Sequence, residues 1–333
     1  MTISAISTSA EIKLFTSENS PLPSAGIWSI LFDHKDRLWL GTGKGIYVFD
    51  RQLNTLKIIS SKSTQGKLKK DFVVKIYEDS QRRYWFATRS SFIGGGGVTM
   101  FDGKEWLLFT TENTQGSLPS NYVWDIAEDK KGRIWFATDK GVAVYENNQW
   151  THLYNRVNTG LGLPGDSVWD IFIDKQGNLW FATDRGVGWF DGRHWRNVTK
   201  HNSPLPSNNV AVVFVDSEGR YWFGLRSGLF KKGGVILYDG RDWIHHTTEN
   251  GLPHNDINVI YEDKNQTIWI GTRGGVASFK NGKFKKYITK ERVWDIAEDK
   301  RGNLYFATSR GLAVLSINGE DYLTSWRKKH GAH

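Results

Sequence analysis

Two sets of side chains recur at fixed places in this sequence, and both are of types that bind. The first is cationic: Lys44, Arg89, Lys140, Arg185, Arg226, Arg273 and Arg310 each follow a Trp-x-Gly/Ala-Thr tetrad or its close variant. Gathered around one opening, seven like charges would raise the local concentration of anions. Arg can also hold a carboxylate or phosphate through two parallel hydrogen bonds. The second set places an aromatic ring beside a carboxylate. Trp28, Trp124, Trp169 and Trp294 share one repeat position, and Asp125, Asp170 and Asp295 share the next, with Ser29 in the first copy. The other copies carry Val74-Lys75, Ala211-Val212 and Asn258-Val259 there. A ring that stacks on the C–H face of a sugar while a carboxylate bonds its hydroxyls is a common way to grip carbohydrate. The same residues have a structural use as well, with Trp filling a wide gap and Asp tying down a neighbouring backbone N–H.

Chemistry that makes or breaks bonds is poorly represented. There is no HExxH, G-x-S-x-G or Walker sequence, and zero Cys excludes thiolate metal sites, disulfides and a Cys nucleophile. His254 with Asp256 or Glu249 is the one assembly that a metal-assisted lyase could use. Asp125, Asp170 and Asp295 occupy equivalent places, whereas an acid/base pair for glycoside hydrolysis needs dissimilar surroundings. The reading is therefore of binding rather than catalysis, with no catalytic residue, metal or cofactor expected.

These side chains need a scaffold, and residues 121–150, NYVWDIAEDKKGRIWFATDKGVAVYENNQW, show it. Runs rich in Val, Ile, Trp, Phe and Tyr alternate with turns of Gly, Asn, Asp and Lys, which reads as four strands joined by tight hairpins. Trp39, Trp85, Trp135, Trp180, Trp222 and Trp269, with Tyr305 in the seventh copy, recur at intervals of 36 to 50 residues. Asp33, Asp79, Asp129, Asp174, Asp216, Asp263 and Asp299 precede them as turn-capping residues rather than ligands. Seven four-stranded units at this period point to an all-β, seven-bladed propeller of antiparallel blades. It is read as one domain over residues 1–333, with blades starting near 24, 71, 121, 166, 208, 255 and 291. Residues 11–16 look like a fourth strand without its first three, so they are expected to complete blade seven and close the ring. Residues 322–324 compete for that place, within a C-terminal tail at 317–333 whose end from Arg327 reads as basic and frayed.

The pattern Val-x-x-Ile-x-x-Asp-x-x-Gly-x-Ile/Leu-Trp-Phe/Ile/Leu-Gly/Ala-Thr-x-x-Gly, starting at Ile27, Val73, Val123, Val168, Val210, Ile257 and Val293, resembles the two-component regulator propeller repeat. It is more distantly similar to the streptogramin lyase propellers. The first resemblance implies the sensor half of a hybrid histidine kinase that reads oligosaccharides from the periplasm; the second implies a lyase. The chain departs from the sensor pattern in having one propeller and no kinase.

A net charge of +9 favours an acidic ligand or partner, while nucleic acid is disfavoured because no aromatic–basic groove or recognition motif is present. No run approaches 18 apolar residues, so no membrane span is expected. The first fifteen residues lack a signal-peptide pattern, which reads as cytoplasmic, or as periplasmic if a signal has been removed. Two second-to-third loops are longer and Gly-rich, and carry Phe92 and Ile93 in blade two and Leu229 and Phe230 in blade five. These four are candidate partner contacts. The expected function is a monomeric sensor that binds a small molecule or oligosaccharide, acidic by charge, at the channel mouth. The alternatives are a scaffold for an acidic protein partner on the same face, and a streptogramin-lyase-like enzyme.

Overall fold

The computed structural model describes residues 12–23, 26–89, 94–228, 232–316 and 321–330. Among them lie seven four-stranded antiparallel sheets, and the chain is a seven-bladed β-propeller. In six blades the strand order follows the chain, as in Val123–Glu128, Ile134–Thr138, Gly141–Glu146 and Gln149–Tyr154. The seventh joins Val293–Glu298, Leu304–Thr308 and Gly311–Leu315 to the N-terminal strand Ile12–Phe15, in the register Ile12↔Leu315 to Phe15↔Leu312. The N-terminal strand therefore closes the ring. Residues 322–330 form a helix instead of competing for that edge. Tyr322 and Leu323 are buried in the core cluster that bridges blades seven and one, together with Phe15, Tyr47, Phe49 and Tyr305. The helix thus covers the seam where the sequence pattern suggests a frayed end.

Each blade is pinned at its first hairpin by one buried carboxylate. Asp129 Oδ1 accepts the backbone N–H groups of Lys131 and Arg133, and its Oδ2 accepts Trp135 Nε1 at 2.9 Å and Arg133 Nε at 2.6 Å. The same indole-to-carboxylate bond recurs from Trp39, Trp85, Trp180, Trp222 and Trp269 at 2.8–3.0 Å, and Tyr305 replaces it with its hydroxyl. Burial raises the Asp33 carboxyl, but the Arg37 backbone, the Trp39 indole and the Arg37 guanidinium outweigh it and hold the group below its usual range. A buried indole must place its N–H somewhere, and the seven Asp supply that partner.

Small residues after each Trp follow from blade-to-blade approach. A Cβ on Gly41 would lie 2.9 Å from Val73 O, and one on Gly271 would lie 2.9 Å from Val293 Cγ1, each on the next blade. The second-to-third turn is equally specified: Gly141 has φ of 107°, and a Cβ there would meet Tyr154 O at 2.3 Å.

Because the closing strand is held largely by Phe15, which is 2% exposed, Phe15→Ala should cost about 3–5 kcal/mol in urea unfolding. A loss under about 1 kcal/mol would show that this strand does not secure the ring.

Candidate functional site

The inner strands Ile27–Phe32, Phe72–Glu78, Val123–Glu128, Val168–Ile173, Val210–Val215, Ile257–Glu262 and Val293–Glu298 line the central channel. All seven carry a β-bulge at the same place. In blade three Val123 pairs with Thr138 but Asp125 pairs with Ala137, so Trp124 has no opposite number, and the other six repeat the shift. Successive residues of a regular strand face opposite sides, and a bulge breaks that alternation and re-aims side chains. Trp124 and Asp125 thus both line one cavity of about 360 Å³, as do Trp169 with Asp170 and Trp294 with Asp295.

At the mouth the aromatic rings carry guanidinium groups. Arg89 lies over Trp124 at 4.9 Å, Trp28 at 5.2 Å and Phe72 at 5.3 Å. Arg226 lies over Trp169 at 4.2 Å, and Arg292 over Trp294 at 4.6 Å. Trp28 and Trp294 stack on each other with centroids 4.0 Å apart. Arg89, Arg226 and Arg292 line one pocket of about 290 Å³ with Trp28, Trp124 and Trp294. Burial lowers the pKa of all three. Asp256 opposes that effect at Arg226, where Arg292 and Arg89 act with burial as like charges. Asp256 also accepts hydrogen bonds from the Ser227 hydroxyl and backbone N–H.

The expected ring of seven cations is thus divided. Arg89 and Arg226 turn inward onto the tryptophans. Arg185, Arg273 and Arg310 stay more than half exposed, beside Asp184 at 3.7 Å, Asp256 at 3.7 Å and Glu291 at 3.2 Å. Lys44 and Lys140 donate their backbone N–H groups to Thr42 and Thr138 in the hairpin turn. Arg292 escapes the repeat-based reading because it precedes an inner strand rather than following a second one. Phe92, Ile93, Leu229 and Phe230 lie outside the described residues. His254 Nδ1 accepts the Asp256 N–H at 2.8 Å, which makes it part of the local turn, and no group of three or more metal-ligating side chains converges among the described residues.

Below the mouth lies an ionic layer, the neck of the channel. Lys75 Nζ lies 2.7 Å from Asp125 Oδ1. Burial lowers the Lys75 pKa, but Asp125 and Asp295 outweigh it and keep the ammonium charged. Burial and the neighbouring Asp125 push the Asp170 carboxyl up to about 8, against the Val213 N–H and Lys75. Asp295 is raised by burial in spite of Lys75 and the backbone N–H groups of Ile30 and Ile296. Tyr77 and Tyr261 also line the cavity, and burial raises both phenols, Tyr77 to about 12.

The fold has counterparts among known proteins. Residues 21–44, 117–140, 162–185, 251–274 and 287–310 match the two component regulator propeller pattern. These lie in blades one, three, four, six and seven, and the blades that supply Arg89 and Arg226 fall outside the matched residues. Among solved structures, the chain is similar to the extracellular domain assigned to the hybrid two component system BT3049 from B. thetaiotaomicron. The TM-score is 0.75 at 22% identity, over 93% of this chain and 41% of that one. It also resembles a catalytically inactive virginiamycin B lyase from Staphylococcus aureus with quinupristin, at TM-score 0.65 and 14% identity, over 92% of this chain and 100% of that one. The chain therefore spans less than half the length of the first of these proteins. No curated protein matches it.

The raised Asp170 pKa has a definite sign. Between the ordinary carboxylate range and about 8 the folded protein binds this proton more tightly than the unfolded chain, so its contribution to stability falls as pH rises through that window. Asp170→Asn should flatten the difference in melting temperature between pH 5 and pH 9 relative to wild type. An unchanged difference would show that the carboxyl is not held protonated.

Proposed function

We propose that this chain, whose repeats match the two component regulator propeller pattern, is a sensor-type propeller whose channel mouth binds a small ligand bearing an acidic group. The observation that carries this reading is the way three half-buried guanidiniums are held. Arg89, Arg226 and Arg292 rest on the faces of Trp28, Trp124, Trp169 and Trp294, and the ion pairs found within 4.0 Å among the described residues do not include them. A cation–π contact orients a guanidinium without using up its N–H donors. Positive charge gathered in a partly buried funnel attracts anions.

Acidic oligosaccharides are the ligand class we favour, because indole edges and arginine forks together suit a ring that carries a carboxylate, sulfate or phosphate. The tryptophans then serve chiefly as supports for the arginines. The extracellular setting of the BT3049 domain favours a periplasmic location for this chain, and no described helix is long and apolar enough to cross a membrane. An acidic protein partner on the same face is the second reading, favoured by the same cations.

Glucose 6-phosphate and glucuronate should raise the melting temperature while glucose does not. A ligand present at about 100 times its dissociation constant adds about 2.7 kcal/mol. Arg89→Met and Arg226→Met should each weaken binding by about 10- to 100-fold, as loss of a charge-assisted bond implies. Equal shifts from glucose would overturn the role of the arginines, and a flat response to every sugar would favour the protein partner.

A further inference from the structure

The mouth gathers more positive charge than its blades require. Lys140, Arg185, Arg273 and Arg310 hold the same repeat position as Arg89 and Arg226, and their blades are complete with that side chain exposed. An inward arginine is thus no condition of the fold. Arg89 and Arg292 flank one stacked pair of indoles: Arg89 lies 5.2 Å from Trp28, Trp28 lies 4.0 Å from Trp294, and Arg292 lies 4.6 Å from Trp294. Arg226 joins them at the wall of the same pocket of about 290 Å³, close enough for Arg292 and Arg89 to act with burial in lowering its pKa.

These three cations face a single carboxylate. Among the described residues lining the pocket, Asp256 is the one acidic side chain, and it is already shared. Its Oδ1 accepts the Ser227 hydroxyl and N–H, and its Oδ2 lies 3.7 Å from Arg273 Nη1. The pocket therefore holds two more positive charges than negative ones. The neck below cancels little of that excess, because Lys75 already pairs with Asp125 and burial raises the carboxyls of Asp170 and Asp295. Two charges in excess at one place are matched by one doubly charged group better than by a carboxylate. Three guanidinium forks also suit the three acceptor oxygens of a phosphate ester.

We infer that the acidic group taken at the mouth is a dianionic phosphate monoester, held jointly by Arg89, Arg226 and Arg292, in preference to a sulfate ester or a carboxylate. This rests on the anion-binding reading of the mouth and narrows it to one charge state. A sulfate ester offers the same three terminal oxygens with a single negative charge, so the pair separates charge from shape.

Calorimetric titration of the full chain with glucose 6-phosphate and glucose 6-sulfate tests it. At pH 7.5 the phosphate should bind about 10- to 100-fold more tightly, as one further charge-assisted contact implies. A phosphate monoester takes up its second proton at about pH 6, so at pH 5 the ratio should shrink about tenfold. The protein's own groups act with the opposite sign. His254, Asp256, Glu291 and Tyr122 around the arginines, and Asp170 and Asp295 below, can only gain protons as pH falls, which makes the site more positive. Arg292→Gln should narrow the ratio at pH 7.5, because it removes one of the charges in excess. Inorganic phosphate distinguishes the sources: affinity equal to that of the sugar phosphate assigns the site to the phosphoryl group alone, and weaker affinity assigns it to a phosphorylated sugar. Equal binding of phosphate and sulfate esters at pH 7.5, a ratio that keeps its size at pH 5, or one that Arg292→Gln leaves unmoved would overturn the dianion site and leave the mouth reading standing. Binding of neither ester would count against the mouth reading itself. The wild-type comparison stands whether or not the variant folds.

Discussion

A backbone N–H exposed by a bulge and buried between blades has to find an acceptor, and much of this propeller's channel chemistry follows from how that need is met. Unpaired buried backbone groups cost about as much as a lost hydrogen bond. Across four blade junctions the acceptor comes from the preceding blade: Ser29 for Ile76, Asp125 for Ile171, Asp170 for Val213 and Asp295 for Ile30. Each bond ties one blade to the next along the channel wall. Those of Asp125, Asp170 and Asp295 also fix side chains that line the cavity, so a structural bond orients groups available for binding.

The bulge explains a division of labour along each inner strand. Beyond it the alternation is regular, and residues such as Ile30, Ile76, Ile126 and Ile171 are buried between blades. At it, two consecutive residues reach the channel. At the far end of the same strand a glutamate latches the neighbouring blade: Glu78 accepts the His34 N–H, Glu128 that of Ser80, Glu262 that of Ser217 and Glu298 that of Lys264. The strand is therefore secured at both ends, and the ring needs little from its exposed ion pairs. Contacts such as Arg185–Asp184 and Arg241–Asp242 are of the solvent-exposed kind that contributes about 0–1 kcal/mol.

The fold was legible in the sequence because its determinants are local and repeated. The Trp spacing, the Asp before each Trp and the Gly/Ala after it map onto one hairpin, and each copy reinforces the others. The N-terminal closure was legible as a strand without its blade. The C-terminal helix was not, since residues 322–330 owe their order to docking on Phe49 and Tyr305, at sequence separations no local pattern carries. The site was legible as residue types but not as an arrangement. The repeat offers seven equivalent cations, but the sequence holds no sign that Arg89 and Arg226 turn in while Arg185, Arg273 and Arg310 stay at the rim. Arg292, outside the repeated position, could have been found only by asking which other bases precede an inner strand.

The departures from symmetry are where selection for something other than folding becomes visible. A ring of seven equal blades is satisfied by Ser29 as well as by Asp125, and by Ala211 as well as by Trp169, so the fold tolerates either. Here Lys75 enters from blade two, the carboxylates come from blades three, four and seven, and the inward arginines come from the two blades outside the family pattern and from the approach to blade seven. Charge of both signs is thus concentrated and layered along one axis, cationic at the mouth and mixed in the neck. Burying these groups costs stability, as the raised Asp170 carboxyl records, and the inter-blade hydrogen bonds of the carboxylates offset part of that cost.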